Sequence, residues 1–223
     1  IHCGAKPVFV DVSPVDFNIT EEGIRKAISP RTKVIMPVDL AGLPCDYARI
    51  NAIVADPAVM AQFTASGEVQ EKLGRILVLA DAAHSFGAVY NTSKSGILTD
   101  ITVFSFHAVK NLTTAEGGMV EIERYDEDTL LRRKKIFDAY QEAFSAFEWA
   151  ELPYYESCTR KSSDHVYLLR IKDICEVQRD AIIQRIFDKD VSVNVHLQPV
   201  PLLSMYKGLG YKMDDYPVAY DNY

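Results

Sequence analysis

The stretch that decides the fold is ITVFSFHAVKNLTTAEGGM, residues 101–119. Its apolar start, residues 101–104, is typical of a buried strand, and residues 119–122 predict another strand. Lys110 lies between these two apolar segments, which is a poor place for an ordinary solvated lysine. A desolvated lysine changes its pKa readily and can act as a nucleophile. The alternative is a lysine on a surface loop.

A second stretch, ILVLADAAH at residues 76–84, favours a reactive lysine. The apolar run predicts a strand buried on both faces of a parallel sheet, and it ends in Asp81. Ligands of open α/β sheets bind at the carboxyl ends of the strands, where Asp81 and Lys110 are both expected. A carboxylate and a lysine that meet there suit pyridoxal phosphate (PLP). The lysine binds the aldehyde covalently, and the aspartate keeps the pyridine nitrogen protonated.

Five blocks of sequence resemble the DegT/DnrJ/EryC1/StrS sugar aminotransferases, within the fold type I PLP enzymes. They are GAKPVFVDV (4–12), TKVIMPV (32–38), DAAH (81–84), SFHAVKN (105–111) and EGG (116–118). The resemblance implies an α/β fold, with a large domain built on a mostly parallel sheet and a smaller α+β C-terminal domain. We place the large domain at residues 1–122 and the small one at residues 123–223.

The resemblance also assigns roles to individual residues. Lys110 is the catalytic Schiff-base lysine, and Asp81, His84 and Ser105 bind the cofactor with it. His107 and His196 are candidate substrate contacts. Without the resemblance, each of these histidines is an ordinary packing or hydrogen-bonded residue, and we treat His165 as structural.

The implied reaction moves an amino group, from glutamate as the expected donor, to a keto sugar linked to a nucleotide. The SFHxxK form of the lysine block is similar to the branch that aminates 4-keto sugars, such as precursors of 4-amino-arabinose or pseudaminic acid. One alternative is a sugar dehydratase of the same family, which has histidine in place of Lys110. The other is a non-catalytic chain that keeps the fold.

The family has segments that this sequence does not contain. They include a phosphate-binding turn expected before residue 1, a dimer-building segment near residues 122–124, and a final strand and helix after residue 223. We therefore expect a fragment, or a sequence from which residues have been omitted. A homodimer is expected from the resemblance, because each active site in the family is shared between two subunits.

Composition excludes several other classes. The chain has 223 residues, 48% of them hydrophobic, and a formal net charge of −7, without the basic run that a nucleic-acid surface needs. No apolar stretch reaches membrane-spanning length, and no signal peptide is visible. The four cysteines lack metal or disulfide spacing, which favours a cytoplasmic protein and no metal site; they are Cys3, Cys45, Cys158 and Cys175.

The coarse secondary structure alternates in the first half. Strands are predicted at 7–12, 32–38 and 76–81, with helices opening at Thr20 and Asp46. Residues 55–75 have no clear pattern. In the second half, we predict a long helix to about residue 147, strands at 165–171 and 191–195, and a helix at 176–189. The long helix is expected to bury Leu130, Leu131, Ile136, Tyr140, Phe144 and Phe147.

Overall fold

The computed structural model describes residues 4–107, 109, 110, 127–195 and 198–223. The first half alternates short strands with short helices. Its helices are α1 (Glu21–Ala27), α2 (Tyr47–Val54), α3 (Pro57–Gln62) and α4 (Glu68–Leu73). Its strands are β1 (Val34–Ile35), β2 (Leu77–Asp81), β3 (Val89–Tyr90), β4 (Ser93–Lys94) and β5 (Ile101–Val103).

Local capping explains where the first two helices begin. Thr20 Oγ1 accepts a hydrogen bond from Gly23 N at 3.1 Å, and Asp46 Oδ1 accepts one from Arg49 N at 3.3 Å. Each bond satisfies one of the backbone donors that a helix leaves open at its start. Both predicted helices are confirmed. The pattern-free residues 55–75 form two further helices, α3 and α4.

The central sheet has the order β1-β2-β5, and all of its strands are parallel. Val34 pairs with Leu77, and Asp81 pairs with Val103. One face of the sheet packs against α1 and α2. The core formed there contains Ile24, Ile35, Cys45, Tyr47, Ile50, Ile53, Val54, Ile76, Val78 and Ala80. The strands are shorter than predicted, and 7–12 forms only a single bridge from Val12 to Ile19.

The opposite face of the sheet carries Asp81. Paired residues of neighbouring strands point to the same face, so Asp81 shares its face with Val103. Ile101 and Val103 are 48% and 53% exposed, which shows that the prediction of a buried strand at 101–104 was wrong for these two residues. Apolarity alone could not reveal that their side chains stay exposed.

The second half contains shorter elements around one long helix. Its helices are α5 (Glu127–Ser145), α6 (Glu176–Phe187), α7 (Ser204–Gly208) and α8 (Pro217–Asp221), and its strands are β6 (Ala150–Glu151), β7 (Arg160–Lys161) and β8 (Arg170–Ile171). The predicted helix at 176–189 is confirmed. The predicted strand at 165–171 is reduced to β8, which pairs with β6, and 191–195 is not a strand.

A second small sheet joins the two halves of the chain. Its order is β4-β3-β7, and Val89 in β3 pairs antiparallel with Lys161 in β7. A strand beyond residue 123 is therefore hydrogen-bonded to the first half. The division into two domains at 122/123 stays a prediction.

The buried side of α5 differs from the prediction. Phe137 is its buried residue, at 4% exposure, and its ring packs edge-on against Tyr155 and Tyr167. Four of the six predicted core residues are instead exposed: Leu131, Ile136 and Tyr140 on the helix, and Phe147 beyond its end. The helical period was right but the apolar residues extend around more than one face, so periodicity could not identify the packed side. No helix in the described ranges is long and apolar enough to cross a membrane.

Candidate active site

The candidate site lies at the carboxyl edge of the central sheet. Asp81 is the last residue of β2, and its carbonyl oxygen accepts a hydrogen bond from Asp39 N at 3.0 Å. Its carboxylate Oδ1 accepts from Ala83 N at 3.1 Å. No side chain in the described ranges donates to this carboxylate, so it remains available at the end of the strand.

The segment after β5 is anchored by alternating phenylalanines. Phe104 and Phe106 are buried, and each packs edge-on against Phe86 with ring centroids 5.3 Å apart. This anchoring leaves the intervening Ser105 half-buried and His107 exposed. Ala82 N donates to Val103 O at 2.9 Å, so this segment leaves the sheet directly beside the end of β2.

Lys110 follows in the same segment. Its amide donates to the carbonyl oxygen of His107 at 2.9 Å, which closes a turn, and its side chain is half-buried. None of the described carboxylates is within ion-pair distance of its amine. The adjacent parallel strands β2 and β5 therefore bring Asp81 and Lys110 to one edge of the sheet.

His84 lies on the tight turn after Asp81, and a distant segment packs against it. Its ring lies 4.7 Å from the ring of His165, centroid to centroid, with a 39° tilt. Ser163 Oγ donates to the carbonyl oxygen of His84 at 2.6 Å, and Ser163 N donates to Gly42 O at 3.1 Å. No sequence pattern points to Ser163, and the sequence analysis treats His165 as structural. The spacing of His84 and His165 in the sequence does not reveal that their rings lie close together in the fold.

Asp39 is a second residue that the sequence analysis missed. It is buried, and its carboxylate accepts hydrogen bonds from Cys45 N at 2.9 Å, Tyr47 Oη at 2.6 Å and Ser85 Oγ at 2.6 Å. Burial raises the pKa of this carboxyl above its ordinary value, and the three donors oppose that rise. Burial likewise raises the pKa of the Cys45 thiol and the Tyr47 hydroxyl.

Three predictions concern residues outside the described ranges. They are His196, the second candidate substrate contact, the glycine-containing block at 116–118, and the strand at 119–122. Among the described residues, no group of three or more His, Cys, Asp and Glu side chains could hold a metal ion.

The described residues fit PLP. Asp81 offers a free carboxylate oxygen for a protonated pyridine nitrogen, and Lys110 offers an amine without a competing carboxylate partner. His84 presents an imidazole on the turn between them, and Ser105 lies on the lysine segment. The donor set is therefore a carboxylate, an amine, an imidazole and a hydroxyl at one edge of the sheet.

Residues 1–130 and 121–223 match the model of the DegT/DnrJ/EryC1/StrS aminotransferase family. The chain belongs to the DegT/DnrJ/EryC1/StrS aminotransferase family. Its fold is the type I fold of PLP-dependent enzymes, as predicted, and membership confirms the aminotransferase class with PLP as cofactor.

Two relatives resemble this family member over nearly all of its length. Protein MJ1066 of Methanocaldococcus jannaschii, itself uncharacterized, is 30% identical over 276 aligned positions, covering 98% of this chain and 67% of MJ1066. The putative sugar aminotransferase Spr1654 of Streptococcus pneumoniae is 33% identical. Its PLP-form superposes with a TM-score of 0.89 over 99% of this chain and 69% of Spr1654. The alignment with MJ1066 has more positions than this chain has residues, so MJ1066 contains internal residues without a counterpart here.

A more distant structure supports the fold alone. PseC of Helicobacter pylori, an aminotransferase involved in pseudoaminic acid biosynthesis, is 20% identical, with a TM-score of 0.76 over 98% of this chain and 67% of PseC. The similarity extends across both halves of this family member.

Proposed function

We propose that this chain carries the catalytic residues of a PLP-dependent sugar aminotransferase. The proposed donor is glutamate, and the proposed acceptor is a keto sugar linked to a nucleotide. Family membership supports amino transfer, and the 33% identity with the putative sugar aminotransferase Spr1654 supports a sugar acceptor. The nucleotide, the 4-keto position and the donor rest on the SFHxxK form of the lysine block at residues 105–110.

One observation carries the proposal. Asp81 pairs with Val103 across parallel strands, and the chain runs from Val103 through the phenylalanine-anchored segment to Lys110. A carboxylate at the end of one strand and an amine beyond the end of its neighbour fit the two ends of a pyridoxal ring. Neither residue has a described ion-pair partner that would explain it as a structural salt bridge.

The residues divide the chemistry between them. PLP, when bound, would supply an electron sink for moving an amino group from a donor amino acid to a keto carbon. Lys110 would hold the cofactor aldehyde covalently and, once free, would be the general base that moves a proton. The Asp81 carboxylate would hold the proton on the pyridine nitrogen. Ser105 would donate to the phosphate, His84 would contact the ring, and His107, exposed on the lysine segment, would contact the sugar or its diphosphate.

The proposal has three further parts. The chain is divided at 122/123 into a cofactor-binding and a smaller domain, His196 contacts the substrate, and the active protein is a homodimer. A cytosolic location is proposed from the cysteines, since Cys45, Cys158 and Cys175 are free thiols in the structure.

The test is covalent attachment of PLP to one lysine. The full-length protein is loaded with PLP, scanned for the visible band of a lysine-bound cofactor, and reduced with borohydride before peptide mass analysis. We expect the added mass on the peptide that contains Lys110, and loss of the band when glutamate is added.

Two variants make this test specific. Lys110→Ala should abolish both the band and the added mass. Lys72→Ala, which removes an exposed lysine from α4, should change neither. A folded wild-type protein without the band would contradict the proposal and favour a non-catalytic chain. Attachment without any response to amino acids would contradict amino transfer from the proposed donor.

A further inference from the structure

Asp39 contacts the segment that carries Asp81 and His84 at two points. Its amide donates to the carbonyl oxygen of Asp81, at the end of β2, at 3.0 Å. Its carboxylate Oδ2 accepts from Ser85 Oγ at 2.6 Å, on the residue that follows His84. Asp39 itself is 1% exposed, so it cannot touch a substrate from solvent.

The rest of the Asp39 carboxylate is fixed from the other side. Its Oδ1 accepts from Cys45 N at 2.9 Å and from Tyr47 Oη at 2.6 Å, at the start of α2. Both donors belong to the packed core below the sheet edge. The carboxylate therefore links a rigid helix start, through two short bonds, to the turn that carries His84.

Ser85 connects this anchor to the turn. It is fully buried, its amide donates to Ala82 O at 3.0 Å, and its carbonyl oxygen accepts from Ala88 N at 2.9 Å. Its hydroxyl also lies 2.9 Å from Ser95 Oγ. Removing the Asp39 contact would take away one of the side-chain hydrogen bonds that hold this turn, and would leave those of Ser95 with Ser85 Oγ and of Ser163 with His84 O.

We propose that Asp39 is a positioning residue that sets the placement of Asp81 and His84 relative to each other, acting through Ser85. The inference rests on the proposed function, because positioning matters only if these two residues hold PLP. A neutral apolar residue at this place would leave three buried donors unsatisfied, each at a cost of about 1–3 kcal/mol. The same network would also stabilise the fold, so the experiment must separate positioning from stability.

Two single-hydroxyl deletions provide the comparison. Ser85→Ala removes the donor on the side of the candidate site, and Tyr47→Phe removes the donor on the side of α2. Each deletes a 2.6 Å hydrogen bond to the same carboxylate in a buried setting, and Ser85→Ala also removes the 2.9 Å contact with Ser95 Oγ. If Asp39 only supports the fold, the two variants will change PLP affinity to the same extent.

The measurements are made on the full-length protein. Both variants should lower the thermal stability of the cofactor-free protein by similar amounts. Ser85→Ala should weaken PLP binding about tenfold or more, because the free energy of a hydrogen bond to a charged group corresponds to about that factor in affinity. It should also accelerate hydrogen exchange at the Ala88 amide. Tyr47→Phe should change PLP affinity less than about twofold.

Asp39→Asn gives a conservative check. The amide oxygen still accepts from Cys45 and Tyr47, and the amide nitrogen can donate to Ser85 Oγ while Ser85 donates to Ser95. Near-normal PLP affinity in Asp39→Asn is expected. Equal effects of Ser85→Ala and Tyr47→Phe on PLP affinity, or no effect of Ser85→Ala, would overturn the inference. A folded wild type that does not bind PLP would overturn the proposed function first and this inference with it.

Discussion

Arg160 Nη1 lies 2.7 Å from Asp16 Oδ2 in an ion pair that joins residues far apart in the chain. The two side chains are 16% and 10% exposed, and the guanidinium lies over the ring of Tyr154, 5.8 Å from its centroid. Burial lowers the pKa of Arg160, but the Asp16 carboxylate outweighs it and leaves that pKa above its ordinary value. This pair fastens the turn before α1 to strand β7.

Removing the charge of Asp16 alone should lower the free energy of unfolding substantially. Asp16→Asn leaves a largely buried guanidinium without its partner, and we expect a loss of about 3 kcal/mol in the free energy of unfolding. The control is Glu22→Gln, which breaks an exposed ion pair with Lys26 and should cost much less, because solvent screens the charges of an exposed pair. Urea unfolding at pH 7 measures both. Equal losses in the two variants would show that burial adds nothing to the Asp16–Arg160 pair.

Asp164 should contribute less to the free energy of unfolding at neutral pH than at acidic pH. Burial raises its pKa to about 6, above the ordinary value of about 3.9, with Lys134 opposing the rise. The folded state then binds this proton more tightly than the unfolded state. The contribution of Asp164 to stability therefore falls as pH rises from about 4 to 6, by about 2–3 kcal/mol, and stays low above that.

Asp164→Asn removes this titration. We expect it to increase the free energy of unfolding at pH 8 and to change it little at pH 4, because asparagine resembles the protonated carboxyl. Asp164 has a φ of +52°, which asparagine tolerates. The matched control is Asp190→Asn, an exposed aspartate with a φ of +59°. A gain at pH 8 in both variants would contradict burial as its cause.

Gly42 is required where two segments cross beside the candidate site. Its φ is +95°, and a Cβ added there would lie 2.9 Å from His84 O and collide with Ser163 Oγ. Gly42→Ala should therefore destabilise the fold by more than the 1–2 kcal/mol or so that backbone strain alone costs. Gly74→Ala is the control, with a φ of +68° and its nearest atom 3.9 Å away. Equal losses in thermal unfolding would show that the crossing has room for a methyl group.

Asp100 should contribute stability that acid removes. It accepts two hydrogen bonds from the Arg75 guanidinium, at 2.8 and 2.6 Å, and one from Val78 N at 2.9 Å. The bond with Arg75 holds the pKa of Asp100 below its ordinary value. Its stabilisation is therefore present above about pH 4 and lost as pH falls through the lowered value.

Asp100→Asn should cost about 1–2 kcal/mol at pH 7 and much less at pH 2.5. Denaturant unfolding at several pH values checks this. Arg75→Lys keeps the positive charge but loses the two-pronged geometry, and should retain part of the stability. If Asp100→Asn lowers the free energy of unfolding by the same amount at every pH, the ionised carboxylate is not the source of the stabilisation.

Several features of the chain were predictable because their causes are local. Thr20 and Asp46 accept bonds from amides three residues away, so the helix starts could be read from the sequence. The motif blocks around Asp81 and Lys110 predicted the family and the parallel strands that carry them. Those strands, β2 and β5, are neighbours in one sheet, so Asp81 and the segment that leads to Lys110 leave the sheet at the same edge.

Only the tertiary structure decided which residues pack against each other. Asp39 meets Ser85 across 46 positions, and Ser163 meets His84 across 79. Such contacts depend on how the sheet, the turns and β7 are stacked, and no spacing in the sequence encodes them. Likewise, an apolar residue reveals a tendency to be buried but not whether a partner covers it. For that reason Phe137, which was not among the predicted core residues, is in the core, while Ile101 and Val103, which were predicted to be buried, are exposed.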